Sequence, residues 1–175
     1  MSLIPTKSNI KTANQLLDHF GIPVDLNALL KHYKINLHIV DMETEVSGFL
    51  IIKPSSSEIA INKAHHPNRQ RFTIAHECGH YFLHSKDSKE FIDMTPTIYM
   101  RNIESHAGIS LNEIEANQFA ADLLMPKDYL QQSIEQRAID IYDDLSLRKL
   151  ANELKVSIQA LSIRLSALKL IPDKI

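Results

Sequence analysis

Two histidines and a glutamate in the segment HECGH, residues 76–80, have the spacing of a catalytic metal site. Residues i and i+4 of an α-helix share one face, with Cβ atoms about 5–6 Å apart. His76 and His80 can therefore direct two imidazole nitrogens at one point, and a zinc ion with Zn–N distances of about 2.0–2.1 Å fits there. Glu77 lies one residue round the helix, which suits a carboxylate that takes a proton from the attacking water and does not suit a third ligand.

The motif alone is also consistent with two histidines on a surface helix, because HExxH arises by chance in roughly a few per cent of chains this long. Its surroundings favour the metal. The helix carries an apolar stripe that includes Phe72, Ala75 and Phe82, and it follows three strand-like segments. Buried histidines and a buried glutamate need a partner, and a metal ion is such a partner.

The third ligand is expected from the segment NEIEANQFAADLLMP, residues 112–126. Catalytic zinc generally takes three protein ligands and keeps one position open. Glu113 shares a helix face with small and apolar residues such as Ala120, whereas Glu115 shares a polar face with Gln118. A carboxylate on an inward face needs a reason to be buried, so we predict Glu113 as the ligand and Glu115 as a solvated charge.

Asn117 lies one helical turn beyond Glu113. It is placed to hydrogen-bond a ligand histidine and hold its ring, a task of residues that surround metal ligands. A polar side chain satisfied within a contact between two helices is an equally good interpretation. The small residues Gly79, Ala116 and Ala120 would let the two helices approach closely enough to share one ion.

The side chain that stabilises the oxyanion is not identified by the sequence. His84 continues the histidine face by one more turn. Tyr99, Arg101 and His106 lie in the polar segment 86–110, which is long enough to be a lid. For each candidate an ordinary packing or surface role is the competing interpretation.

The elements around the motif predict an α+β fold. A change from helical to strand-like periodicity after the first thirty-odd residues predicts a small antiparallel three-stranded sheet, arranged as a meander and packed against the motif helix and its neighbours. The predicted strands are 36–42, 46–53 and 57–63. The predicted helices are 10–20, 26–33, 66–85, 111–124, 127–138, 146–155 and 157–169, with Asp25, Ser110, Ser146 and Ser157 as N-caps.

The composition is that of an ordinary globular protein. The 175 residues are 44% hydrophobic and 23% charged, with a net charge of −2, so no overall basic excess indicates a DNA-binding domain. No secretory signal and no membrane-spanning run are found, which predicts a cytoplasmic chain without membrane contact. The single cysteine, Cys78, excludes an intrachain disulfide. It lies roughly 200° round the helix from the predicted ligands and is expected to be a small buried residue.

Two segments resemble the ImmA/IrrE family of metallo-endopeptidases: RFTIAHECGHYFLH at 71–84 and the second-helix pattern ExEANxFAADLLMP at 113–126. The resemblance extends from about Pro23 to Pro126 and includes the helical tail. It implies a zincin-like fold with a zinc-peptidase domain at 1–126 and a helical segment at 127–175 packed on it. It also implies one Zn²⁺ per chain and a peptidase of the gluzincin type. His76, His80 and Glu113 would be its ligands and Glu77 its catalytic base, with Asn117 where other gluzincins often have aspartate.

The resemblance further implies a specific protein substrate, such as a transcriptional repressor, and hence a role in transcription regulation. Extended peptide could bind by adding a strand to the sheet edge. A zinc-containing regulatory module that binds a protein partner without cutting it is the alternative. The tail segment 146–171 has the look of a helix-turn-helix, but its basic residues are sparse. DNA binding at ordinary salt needs many phosphate contacts, so the sequence argues against DNA as a partner.

Overall fold

The structure, a computed structural model, describes residues 4–53, 55–85, 90–94, 111–136, 139 and 143–170, with backbone alone for 90–94. It has seven α-helices and four strands in these ranges. The helices are α1 Asn14–Phe20, α2 Leu26–His32, α3 Pro67–Gly79, α4 Leu111–Leu124, α5 Lys127–Gln136, α6 Asp144–Leu154 and α7 Ile158–Ala167. The strands are β1 Ile35–Val40, β2 Val46–Ile51, β3 Ser57–Asn62 and β4 Glu90–Met94. The predicted α+β class is confirmed.

Helices α1 and α2 cover one side of the core. Gly21 ends α1 with a φ of 77°, a conformation that glycine adopts at little cost. Asp25 caps α2 as predicted, because its Oδ1 accepts a hydrogen bond from the backbone N–H of Ala28 at 3.0 Å. The two helices bury Leu16 and Leu29 completely.

The sheet differs from the predicted three-stranded meander. Its four described strands follow the order β1-β3-β2-β4, with β1 parallel to β3 and the other pairs antiparallel. The hairpin between β2 and β3 is therefore confirmed, but the pairing of β1 with β2 was wrong. Five of the six residues of β3 are buried, which suits a central strand, while β1 is mostly exposed and suits an edge. β4 lies in the polar segment 86–110, where no strand was predicted.

Helix α3 lies against the sheet and continues into a π-helical turn at His80–His84. His66 caps its N-terminus by accepting a hydrogen bond from the backbone N–H of Asn68 at 3.2 Å. Gly48 of β2 allows the close approach of α3, because a Cβ at this position would lie 2.7 Å from the methyl carbon of Thr73. The absence of a side chain at Gly48 thus lets α3 pack closely against β2.

The tail helices α5, α6 and α7 join the same hydrophobic core as the motif helices. Leu150, Leu154 and Leu161, from the segment that has the look of a helix-turn-helix, are fully buried in this core. Arg164, also buried, donates to the backbone carbonyl of Met125 at 3.2 Å and forms an ion pair with Asp122 of α4. The tail is therefore fastened to the helix that carries the predicted third ligand.

The caps of the tail helices agree only in part with the sequence. Ser157 caps α7, since its Oγ accepts a hydrogen bond from the backbone N–H of Ala160 at 3.1 Å. The predicted cap Ser146 is wrong: Asp143 caps α6 and accepts from the backbone N–H groups of Leu145 and Ser146. Ser110 lies outside the described residues. None of the described helices is long and apolar enough to cross a lipid bilayer.

Candidate metal centre

The two motif histidines face each other inside the protein. The Nε2 atoms of His76 and His80 are 3.0 Å apart, and both side chains are buried. Their rings meet edge to face at 78°, so neither ring blocks the nitrogen of the other. The i, i+4 spacing on α3 accounts for this arrangement.

Glu113 of α4 brings a carboxylate to the same point. Its Oε2 lies 3.3 Å from His76 Nε2, and its Oε1 lies 3.2 Å from His80 Nε2. One candidate ligand atom from each of the three residues lies within 4.8 Å of the others. Two ligands of a tetrahedral zinc at about 2.0–2.1 Å are about 3.3 Å apart. These three residues, the ligand cluster, therefore have the donor atoms and the spacing to hold a metal ion.

The electrostatics of the cluster favour the ligand protonation states. Burial lowers the pKa of His80, which keeps the imidazole neutral. Burial alone would raise the pKa of the Glu113 carboxyl, but its close interactions with the His76 and His80 imidazoles outweigh burial and lower the pKa to about 2. A neutral histidine and an ionised carboxylate are the forms that bind metals.

Asn117 contacts the first histidine on the side away from the cluster. Its Oδ1 lies 3.1 Å from Nδ1 of His76, one turn of α4 beyond Glu113. If His76 offers Nε2 to a metal, its Nδ1 carries the proton and donates it to this amide oxygen. The geometry fits the ring-holding task that the sequence suggested for Asn117.

His84 and Glu115 form a contact that the sequence did not predict. His84 Nδ1 lies 3.2 Å from His80 Nδ1, and His84 Nε2 lies 2.8 Å from Glu115 Oε2. Both ring nitrogens of His84 are engaged, which argues against its use as an oxyanion donor. Glu115 is exposed, as expected of a solvated charge, but its carboxylate is also the hydrogen-bond partner of His84. The spacing HExxHxxxH was the signal that could have revealed this contact.

Glu77 and Cys78, the two residues that follow His76, are fully buried. Cys78 belongs to the hydrophobic core, as predicted, and burial raises the pKa of its thiol. Glu77 is adjacent to the ligand cluster along α3, as the motif requires of a base. The candidates Tyr99, Arg101 and His106 lie outside the described residues.

A family model matches the part of the chain that contains both motif segments, 71–84 and 113–126. Residues 30–166 match the model of the IrrE N-terminal-like domain, peptidase family M78. This chain belongs to the ImmA/IrrE family. The match covers both helices of the ligand cluster and most of the helical tail.

This ImmA/IrrE chain is similar in sequence to two named proteins. It is 34% identical over 86 residues to the Radiation response metalloprotease IrrE of Deinococcus radiodurans, a match over 47% of this chain and 24% of that protein. It is 28% identical over 117 residues to the Uncharacterized immunity region protein 2 of Bacillus phage phi105, over 60% of this chain and 68% of that protein. The match to IrrE thus spans about a quarter of the length of that relative.

Gly79 sets the distance between the two helices that carry the ligand cluster of this ImmA/IrrE chain. A Cβ at Gly79 would lie 2.9 Å from Cα and 3.0 Å from the carbonyl oxygen of Ala116. These are backbone atoms, so α3 or α4 would have to shift. The close approach expected from the small residues is thus present at this pair.

We expect Gly79→Ala to lower stability and metal affinity together. Helix propensity alone would make alanine more stable by about 1 kcal/mol, whereas overpacking costs about 1–3 kcal/mol. Moving α4 away also moves Glu113 from the two histidines. Thermal unfolding of the metal-free protein and zinc competition titration measure the two effects. A variant that is more stable and binds zinc like the wild type would contradict the close contact.

Proposed function

We propose that this chain is a zinc-dependent endopeptidase that hydrolyses a specific protein substrate. The observation that carries the proposal is the convergence of His76 Nε2, His80 Nε2 and the Glu113 carboxylate at 3.0–3.3 Å from one another. Two histidines and a carboxylate suit zinc. Three protein ligands leave a tetrahedral ion one position for water or substrate.

When bound, zinc supplies a Lewis acid that lowers the pKa of water toward 7 and polarises the scissile carbonyl. His76, His80 and Glu113 would hold the ion. We assign Glu77 the role of general base: its carboxylate accepts the proton of the attacking water and then passes it to the leaving amine. Asn117 holds the ring of His76 through its 3.1 Å contact at Nδ1. An oxyanion donor is not assigned among the described residues.

The substrate we propose is a regulatory protein, such as a transcriptional repressor, cut in an extended segment. The names of the two relatives, a radiation response metalloprotease and an immunity region protein, support a regulatory setting. Within the described sheet β1 is an edge strand with exposed Ile39 and Val40, and an edge can pair with extended peptide. We place this activity in the cytoplasm and in the segment 1–126, with 127–175 as its helical support.

A non-hydrolytic zinc module that binds a protein partner is the second candidate. The observation that favours it is the neutral side chain of Asn117 beside His76, since a carboxylate in this position would make the ligand more basic. The two candidates share the metal centre and differ only in whether a peptide bond is cut.

Metal-dependent cleavage tests the leading proposal. The chain is stripped with a chelator, reloaded with one equivalent of zinc, and incubated with proteins extracted from the organism that encodes it. Mass spectrometry of new protein N-termini should show a few cleavage sites with the reloaded protein and none with the stripped protein. Cleavage by the stripped protein would contradict a zinc endopeptidase. So would a reloaded protein that cleaves no more than the stripped protein does.

A further inference from the structure

A line of three side chains leads from the ligand cluster to the protein surface. His80 Nδ1 lies 3.2 Å from His84 Nδ1, and His84 Nε2 lies 2.8 Å from Glu115 Oε2. The His84 side chain is 3% exposed, whereas that of Glu115 is 62% exposed. A buried imidazole thus connects a candidate metal ligand to a carboxylate in water.

The donors and acceptors along this line have one consistent order. His80 turns Nε2 toward His76 and Glu113, so Nε2 is its ligand atom and Nδ1 carries the proton. That proton must be donated to Nδ1 of His84, which then has its own proton on Nε2. His84 Nε2–H in turn donates to the Glu115 carboxylate.

The two ligand histidines are therefore supported in different ways. Nδ1 of His76 meets a neutral amide oxygen on Asn117. Nδ1 of His80 meets an imidazole that is itself bonded to a carboxylate. Residues that accept a hydrogen bond from a ligand imidazole fix its tautomer and ring orientation and make it a better electron donor.

We propose that His84 and Glu115 are positioning residues of the metal centre and act on the ion through His80. His84 fixes the tautomer and the ring plane of His80, and Glu115 polarises this contact through His84. The proposal rests on the zinc centre of the proposed function, because without a bound metal there is no ligand to position.

Zinc affinity tests the proposal without any use of activity. We would measure the zinc dissociation constant by competition with a chromophoric chelator for the wild type, Glu115→Gln and His84→Phe. Each variant should weaken binding by about 10–100-fold, the range for changes of such supporting residues. Glu135→Gln removes an equivalent charge from an exposed position on α5 and should bind zinc like the wild type.

A double-mutant cycle separates a line of contacts from two independent effects. In the His84→Phe background, Glu115→Gln should add no further loss, because its contact with His80 through His84 is gone. His84→Gln keeps one acceptor and one donor and should recover part of the affinity. Losses that multiply in the double variant, or single variants that bind within twofold of the wild type, would overturn the proposal.

Histidine ¹⁵N spectra of the zinc-loaded protein give a second readout. We expect the proton of His80 on Nδ1 and that of His84 on Nε2, and a His84 proton on Nδ1 would overturn the proposal. The outcomes also separate it from the proposed function. A wild type that binds no zinc contradicts both, whereas a wild type that binds zinc as tightly as the variants contradicts only the positioning role.

Discussion

Zinc-loaded Glu77→Gln should retain its metal and lose its peptidase activity by about 10²–10⁴-fold, the contribution of a general base. Glutamine has the size of glutamate and can still hydrogen-bond, but it cannot accept the proton of the attacking water. Glu77 is not among the three residues whose ligand atoms converge. The loss should therefore fall on turnover and leave the zinc dissociation constant within about threefold of that of the wild type.

The structure makes Glu77→Gln a clean test because the side chain is fully buried. A neutral amide of the same volume requires less desolvation than a carboxylate, so we expect no loss of folded protein. Glu135→Gln, on the exposed face of α5, serves as the control for a change of charge. Cleavage would be followed on the sites found with the reloaded wild type, and zinc content would be measured on the same samples.

The same variant distinguishes the two candidate functions. If the chain works by hydrolysis, Glu77→Gln binds its partner and leaves it intact. If the biological effect survives the substitution, hydrolysis is not the function and the module acts by binding. This comparison is informative because His76 is supported by the neutral amide of Asn117. An amide activates a metal centre less than a carboxylate does, and a weakly activated centre could still bind a partner through its metal.

The convergence of His76, His80 and Glu113 could be predicted from sequence because most of it depends on residues that are close together in the chain. The spacing of His76 and His80 fixes one face of one helix, and the polarity of the α4 faces separates Glu113 from Glu115. Only the meeting of the two helices is non-local, and the small residues at Gly79 and Ala116 signal it. The distances of 3.2–3.3 Å from Glu113 to both histidines follow from that contact.

Strand order could not be predicted in the same way. Alternation of apolar residues tells which face of a strand is buried, but it does not tell which strand lies beside it. β1 and β2 follow each other in the chain, yet β3 lies between them and pairs with β1 in parallel. β4 was not predicted because it lies within a polar segment of weak periodicity. Its apolar residues match neither the helical nor the strand-like spacing.

The contact of Glu115 with His84 was missed for a different reason. Its helix face is polar, and its side chain is indeed largely exposed. An assignment by helix face treats such a residue as solvated. An exposed carboxylate can nevertheless contact a buried side chain that lies beside the helix. His84 was considered as one candidate oxyanion donor because only its spacing was known. Its contacts with His80 and Glu115 come from the packing of the π-helical turn against α4.

We expect zinc to stabilise the wild type against heat and to leave His80→Ala unchanged. A ligand that binds only the folded state stabilises it by about 2.7 kcal/mol at a free concentration 100 times its dissociation constant. For a chain of this length that corresponds to roughly 5–10 °C in Tm. His80→Ala removes one of three ligands, which should weaken zinc binding by more than the 10–100-fold cost of losing a supporting residue.

The melting temperature of each variant with and without zinc, together with the metal content of the purified protein, measures this effect. His38→Ala, an exposed histidine of β1, controls for zinc bound at surface imidazoles and should keep the full shift. Truncating the buried His80 also leaves a cavity, so the metal-free variant will melt lower than the wild type. The decisive quantity is therefore the difference that zinc makes within each variant. A full zinc-induced shift in His80→Ala would show that the ion is held elsewhere, and the peptidase proposal would lose its metal centre.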